Sequence, residues 1–145
     1  MLLFKWLYID ELTGLYNRRY MRKKFEKFKK NGCCVAIMDL NNFKRYNKIS
    51  YTHGDTVLKI AAVDIKKYIL KFKIDCPVYV GRWGGDEFII ILKSTNHYNA
   101  GLLYHIGRHT DATVSHVFCY KTDNINTIID ILNKNIQDVR EYKVI

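Results

Sequence analysis

Three acidic residues of this chain stand beside apolar blocks, where their carboxylates could do chemistry. Asp39 follows the apolar run from Cys33 to Met38. Asp86 and Glu87 follow the glycines Gly84-Gly85 and precede a second apolar run. If the two runs are neighbouring strands, the carboxylates meet at one edge, where like charges repel unless a cation offsets them. Such hard oxygen ligands suit Mg²⁺, which polarises a phosphoryl group and activates an attacking hydroxyl. Simple capping and turn roles for these residues stay open on spacing alone.

The polar stretch after Asp39 could hold the phosphates of a nucleotide. Backbone N–H groups of a helix beginning near Asn41 would face the end of the strand. Lys44 lies one turn along this predicted helix and could meet a phosphate as a point charge. Asn47 and Asp55 carry donors and acceptors suited to the edge of a nucleobase. Asp55 could equally be the cap of the helix that follows it.

The strands that would position these residues are read from short apolar blocks. The run after Gly32 is typical of a buried strand, because it is short, continuous and flanked by glycine. The runs 78–80 and 88–92 flank Gly84-Gly85, which is a strong signal for a tight antiparallel hairpin. Residues 112–120 read as a further strand. The acidic pair then lies at the tip of the hairpin.

Helical periodicity indicates the remaining elements. The chain opens with a helix, breaks over residues 10–19, and continues in a helix that Asn17 could cap. A long helix is predicted from Asp55, and a final amphipathic helix carries an apolar stripe from Ile125 to Val139. Helices packed on a mixed sheet predict an α+β sandwich.

Composition limits the class of protein and its partners. The 145 residues are 48% hydrophobic and 26% charged, as expected of one globular domain. The net charge of +10 favours polyanionic partners, whether nucleotides, nucleic acid or an acidic membrane surface. No apolar run is long enough for a membrane span, and no signal peptide is recognised. Four cysteines without zinc-ligand spacing predict reduced thiols and a cytoplasmic location.

Four sequence blocks, in order, resemble the GGDEF domain, the catalytic module of diguanylate cyclases. They are DELTGLYNRR (10–19), DLNNFKRYN (39–47), HGDTVL (53–58) and GRWGGDEF (81–88). The resemblance implies a palm-like, ferredoxin-type α+β sandwich with a mixed central sheet, flanking helices and a hairpin carrying the GGDEF sequence. Residues 1–145 would form a single such domain, with residues 1–9 as the remnant of an N-terminal linker helix.

The resemblance also implies an activity: two GTP molecules, one on each protomer of a homodimer, condense into cyclic di-GMP and release two pyrophosphates. Mg²⁺ or Mn²⁺ would be the cofactor. By this likeness the catalytic residues are Asp39, Asp86 and Glu87, which would hold the metal together with the Leu40 carbonyl. The substrate-binding residues it implies are the amides of Asn42 and Phe43 and the side chains of Lys44 and Arg140 for the triphosphate, with Asn47 and Asp55 for guanine.

Several positions depart from the family pattern. Asn41 stands where the family usually has Asp. The segment 47–55 is one residue short, and Lys48 replaces a usual Asp, which leaves a cyclase of altered base choice as an alternative. The C-terminal block matches poorly, although Arg140 falls at the position of a phosphate-binding Lys.

These departures leave further alternatives open. A degenerate module could bind GTP or a cyclic dinucleotide without turnover. Residues 75–78 lack the family's inhibitory Arg-x-x-Asp pattern, so product inhibition at that site is not expected. A separate sensor or partner chain is possible, and no nucleic-acid partner is expected.

Overall fold

The structure, a computed structural model, describes residues 2–142. Its four strands form one sheet in the order β2-β3-β1-β4. They are β1 (Cys33–Leu40), β2 (Val78–Gly84), β3 (Glu87–Leu92) and β4 (Ala112–Cys119). The α+β sandwich is confirmed, but the expected mixed sheet is wrong, because all three strand pairs are antiparallel. A parallel pairing occurs only in the isolated bridge between Tyr16 and Gly81, among the residues described.

Six α-helices accompany this sheet within the described residues. They are α1 (Leu2–Tyr8), α2 (Arg18–Phe28), α3 (Phe43–Ile49), α4 (Tyr51–Lys71), α5 (His97–His109) and α6 (Ile125–Tyr142). Helices α4 and α5 pack on one face and share one apolar core, whereas α2 and α6 enclose a second core on the opposite face. No helix within residues 2–142 combines the length and the apolar character needed to cross a bilayer.

Strand β1 is buried on both faces, which explains its unbroken apolar sequence. Its alternate residues Cys33, Val35 and Ile37 enter the core shared with α2 and α6. Because side chains alternate along a strand, Asp39 continues this row on the same face. The strand runs to Leu40, so Asp39 lies among its last paired residues rather than beyond its end.

The helix after β1 begins later than predicted. It starts at Phe43 instead of near Asn41, and Lys44 therefore lies in its first turn. Asn42 adopts the left-handed conformation, with φ 57°, which asparagine tolerates better than most residues. This residue turns the chain from the strand into α3.

The capping role considered for Asp55 is wrong. Helix α4 begins at Tyr51, and the Ser50 hydroxyl accepts a hydrogen bond from the His53 amide at 3.0 Å. Asp55 lies in the second turn of this helix. By contrast, the cap predicted for α2 is confirmed, since the Asn17 side chain accepts from the Tyr20 amide at 3.0 Å.

Two further helix predictions differ from the structure. Helix α5 was not predicted, and its two glycines and scattered polar residues explain the weak periodicity of its sequence. The apolar stripe of α6 is buried as far as Ile136, whereas Val139 is 42% exposed.

Gly81 on β2 is a position where close packing excludes a side chain. A Cβ there would overlap the Met21 side chain of α2 and approach the Tyr16 carbonyl oxygen to 2.9 Å. We expect Gly81→Ala to lower the free energy of unfolding by about 2 kcal/mol, the usual scale for overpacking. Urea unfolding measures this change.

Gly101→Ala is the matched control, because a Cβ at that exposed helical position meets no atom within 4 Å. It should be neutral or stabilise α5 by up to about 1 kcal/mol. Equal stability of the two variants would contradict the packing argument.

Candidate active site

The acidic residues singled out from the sequence lie at one end of the β1–β3 pair. Asp39 faces Glu87 directly across the two strands. The Leu40 amide donates a hydrogen bond to the Asp86 carbonyl oxygen at 3.3 Å, which fixes the hairpin tip beside the end of β1. The expected convergence of these three residues is therefore present in the fold.

A cleft of about 530 Å³ opens at this edge of the sheet. Its lining residues are Asp39, Leu40, Asn42, Phe43, Lys44, Arg45, Lys48, Asp86 and Arg140. Glu87 instead lines a neighbouring cavity together with Arg18 and Trp83. The structure thus brings Asp39 and Asp86 into one cleft and places Glu87 beside it.

Arg140 of α6 reaches back to the end of β1. Its Nη2 atom lies 3.2 Å from the Asp39 Oδ1 and 3.2 Å from the Asp39 carbonyl oxygen. It also lies 3.5 Å from the Leu40 carbonyl oxygen and 3.1 Å from the Asn41 Oδ1. The family resemblance implies that this arginine binds phosphate, but in the structure it contacts oxygens of Asp39 and Leu40, the residues that the resemblance assigns to a metal.

Asn41 is held in one orientation by two partners near the start of β4. Its Oδ1 accepts from the Thr113 hydroxyl at 2.6 Å, and its Nδ2 donates to the Asp111 carboxylate at 3.1 Å. The amide oxygen is consequently directed at Arg140. This link between β1 and β4 was not foreseen from the sequence, because its partners lie about seventy residues apart.

Burial and crowding raise the pKa of two of these carboxyl groups. For Asp39, desolvation is the larger cause and the Asp86 charge the next, while the Arg140 guanidinium opposes both. For Glu87, desolvation again leads, followed by the charges of Asp39 and Asp86, and Arg18 opposes them. A further cation placed between these carboxylates would therefore stabilise their charged forms.

Helix α3 forms the basic wall of the cleft. Phe43 anchors the helix by burying its ring in the core with α4 and α5. The amides in the first turn of a helix lack intrahelical partners, so those of Asn42 and Phe43 are available beside Lys44. Arg45 and Lys48 also line the cleft and were missed. The signal for Lys48 was its one-turn spacing from Lys44, which puts both on one side of a helix, whereas no spacing pointed to Arg45.

The residues expected to read a base lie beyond this wall. Asn47 of α3 passes so close to Gly54 of α4 that a Cβ at that glycine would overlap the Asn47 amide oxygen. Gly54 therefore allows the Asn47 side chain to pack against α4 at the residue that precedes Asp55. Neither Asn47 nor Asp55 is among the residues that line the acidic cleft.

A larger cavity, of about 740 Å³, lies against α1. It is lined chiefly by apolar residues, including Leu2, Leu3 and Trp6, and shares no lining residue with the acidic cleft. Because the cleft holds the paired carboxylates and the cluster of cations, it is the stronger candidate for chemistry.

The donor set of the cleft fits a hard divalent cation. Within residues 2–142, no three His, Cys, Asp or Glu side chains cluster closely enough to hold a metal. Mg²⁺, however, commonly takes one or two carboxylates and completes its shell with waters and substrate phosphates. The Arg140 guanidinium lies close to oxygens of Asp39, Leu40 and Asn41, so this group of oxygens already faces one positive charge.

Comparison with known proteins identifies the family. The sequence pattern described as "Diguanylate cyclase, GGDEF domain" matches residues 7–139. This chain belongs to the GGDEF domain family. The match includes the cleft residues of β1 and α3 and the hairpin tip, and it stops one residue before Arg140.

Relatives of this GGDEF domain include named cyclases. It is 32% identical over 94 residues to the diguanylate cyclase DgcP of Pseudomonas aeruginosa, covering 60% of this chain and 13% of that protein. It is 34% identical over 98 residues to the diguanylate cyclase DgcZ of Escherichia coli K12, covering 63% and 31% respectively. The chain therefore spans less than a third of the length of these two relatives.

The fold agrees with a solved structure of the family. The coiled coil and GGDEF domain of DgcB from Caulobacter crescentus, solved in complex with c-di-GMP, superposes with a TM-score of 0.76 at 19% identity. The superposition covers 97% of this chain and 84% of that one. The ferredoxin-type sandwich expected of a GGDEF domain is thus confirmed.

The raised pKa of Glu87 predicts that its negative charge weakens the fold. The folded-state pKa exceeds the unfolded value of about 4.3, so the stabilising contribution is complete below that value and is lost as the pH rises through the folded pKa. Glu87→Gln should raise the free energy of unfolding near neutral pH by about 0.5 kcal/mol, a figure reduced for solvent screening of a half-buried group. Urea unfolding at about pH 7 and at about pH 4 measures the difference, which should disappear at the lower pH.

Glu11→Gln, at an exposed position, is the control and should leave stability unchanged at both pH values. A destabilised Glu87→Gln variant near neutral pH would mean that the attraction between Glu87 and Arg18 outweighs burial and repulsion.

Proposed function

We propose that this GGDEF domain is a Mg²⁺-dependent diguanylate cyclase, which condenses two GTP molecules into cyclic di-GMP with release of two pyrophosphates. The observation that carries the proposal is that Asp39 and Asp86 line one cleft with Lys44, Lys48 and Arg140. Paired carboxylates for a metal and clustered cations for a triphosphate are the requirements of phosphoryl transfer. The cyclases named among the relatives support the same reaction.

The metal would be held by the Asp39 and Asp86 carboxylates and the Leu40 carbonyl, with Glu87 beside them. When bound, Mg²⁺ or Mn²⁺ neutralises charge on the phosphates and lowers the pKa of an attacking hydroxyl. The cations Lys44 and Lys48 of α3, with the amides of Asn42 and Phe43, would hold the triphosphate against the end of β1.

In each condensation, the 3′-oxygen of one GTP forms a bond to the α-phosphorus of the other, and the bond to pyrophosphate breaks. Asp86 at the hairpin tip would accept the proton that the 3′-hydroxyl loses. The catalytic contribution of this chain is then mainly orientation and charge neutralisation, with little covalent chemistry.

The cyclic product requires two such condensations in opposite directions. Because this chain has one acidic cleft of this type among its described residues, two copies facing each other would supply the two sites. A homodimer is accordingly part of the proposal, and a separate partner or sensor chain could bring the copies together.

Incubation of the chain with GTP and Mg²⁺, followed by chromatography of the products, tests the proposed reaction. We expect cyclic di-GMP and pyrophosphate from the wild type. Asp86→Asn should lower turnover at least about a hundredfold, since it removes both a metal ligand and the proton acceptor. Asp138→Asn, on an exposed part of α6, should retain activity.

GTP that binds but is not consumed by a verified dimer would contradict the cyclase proposal and select the alternative of a binding module.

The proposed guanine contact is tested at Asn47. Asn47→Ala removes the amide that Gly54 accommodates on α4. It should weaken GTP binding about tenfold and leave ATP binding unchanged, because a lost hydrogen bond affects only the base that makes it. Calorimetric titration with each nucleotide measures the ratio.

Asn135→Ala, exposed on α6, is the control for this measurement. Equal affinity of the wild type for GTP and ATP would contradict the guanine assignment and favour a cyclase of altered base choice.

A further inference from the structure

The contacts of Arg140 differ from those of an ordinary ion pair. A single nitrogen, Nη2, lies within 3.1 to 3.5 Å of four oxygens: two of Asp39, one of Leu40 and one of Asn41. That nitrogen carries two hydrogens and can make two good hydrogen bonds at most. The arrangement of the four oxygens therefore suits a positive charge better than it suits the hydrogen-bond directions of a guanidinium. We refer to these four atoms as the oxygen cage.

The oxygen cage is held in place without Arg140. Two of its atoms are backbone carbonyl oxygens at the end of β1, where pairing with β3 and β4 fixes the strand. The third is the Asn41 amide oxygen, which the Thr113 hydroxyl and the Asp111 carboxylate orient through the two ends of the amide. These three atoms thus keep their positions if the arginine leaves, and the fourth, the Asp39 Oδ1, belongs to a residue whose backbone the same strand pairing fixes.

Arg140 is able to leave. It lies in the last turn of α6, and its side chain is 32% exposed, whereas that of Asp39 is 15% exposed. It lines the same cleft as Lys44 and Lys48. A phosphate bound there would offer the guanidinium two oxygens in the planar, bidentate geometry that the oxygen cage does not provide.

We infer that Arg140 is a built-in counter-cation, which occupies the oxygen cage when the cleft is empty and moves to the triphosphate when metal and nucleotide bind. This inference rests on the proposed function. A divalent cation and the guanidinium would compete for Asp39 and the Leu40 carbonyl. A nucleotide that draws Arg140 away therefore makes the metal site available.

The consequence is cooperative binding of metal and nucleotide. Metal alone binds weakly, because it must displace Arg140, and the coupling is reciprocal by thermodynamic linkage. Arg140 is in this sense a positioning residue, which ties the assembly of the metal site to the arrival of substrate.

Titration with Mn²⁺, followed by the electron paramagnetic resonance of the free ion, tests this inference without turnover. The titration is run with and without the α,β-methylene analogue of GTP, whose bridge cannot be cleaved. Arg140→Gln should bind Mn²⁺ alone at least about fivefold more tightly than the wild type, the lower end of typical coupling between ligands. The gain in Mn²⁺ affinity on adding the analogue should be correspondingly smaller in the variant.

Two controls separate charge from structure. Arg108→Gln removes the same charge from an exposed position of α5 and should titrate as the wild type does. Arg140→Lys keeps a cation near the cage and should bind Mn²⁺ alone more weakly than Arg140→Gln does. Far-ultraviolet circular dichroism verifies that each variant is folded.

The outcomes distinguish this inference from the proposed function. If the wild type binds Mn²⁺ with the analogue, but Arg140→Gln binds Mn²⁺ alone no more tightly, the counter-cation role is wrong and the proposed function stands. If Arg140→Gln fails to fold, Arg140→Met, which also removes the charge, replaces it in the test, and binding of Mn²⁺ alone no tighter than by the wild type again overturns the counter-cation role. Absence of Mn²⁺ binding by every folded variant, with or without the analogue, overturns both.

Discussion

The register between β1 and β3 is the constraint on which the candidate site depends. It sets Asp39 opposite Glu87 and brings the Leu40 amide to the Asp86 carbonyl oxygen. Because side chains alternate along a strand, a slip of one residue would turn Asp39 into the core with α4 and α5. The apolar residues of both strands, buried on each face, make such a slip unfavourable. Hydrophobic packing therefore decides where the carboxylates lie.

That packing places the carboxylates in a partly desolvated position. Two arginines from helices distant in sequence lie close enough to offset their negative charge. Burial and the Asp86 charge raise the pKa of Asp39, while Arg140 opposes them from α6. Arg18 of α2 opposes the corresponding shift at Glu87, and its own Nε donates to the Trp83 carbonyl at 2.7 Å. The two helices on this face thus both pack the sheet and balance its acidic edge.

Signals from neighbouring residues in the sequence were sufficient to predict the hairpin and the two buried strands. The glycine pair marked the hairpin, and continuous apolar runs marked β1 and β3, because each signal concerns neighbouring residues. The start of α4 was misplaced because Ser50 and Asp55 are both good caps, and tertiary packing decides between them. The contact between Arg140 and Asp39 joins residues 101 positions apart, so no periodicity could reveal it. The roles of the site residues remain predictions.

Asn41, which stands where the family usually has Asp, fits the contacts that surround it at this edge of the sheet. Asn41 donates through Nδ2 to the Asp111 carboxylate and accepts through Oδ1 from Thr113. A carboxylate, the residue type usual for the family at this position, has no hydrogen to donate and would face Asp111 with a like charge. The neutral amide avoids that repulsion and still presents an oxygen to Arg140. Asn at position 41, where the family usually has Asp, therefore avoids adding a further negative charge to an edge that already holds Asp39, Asp86 and Asp111.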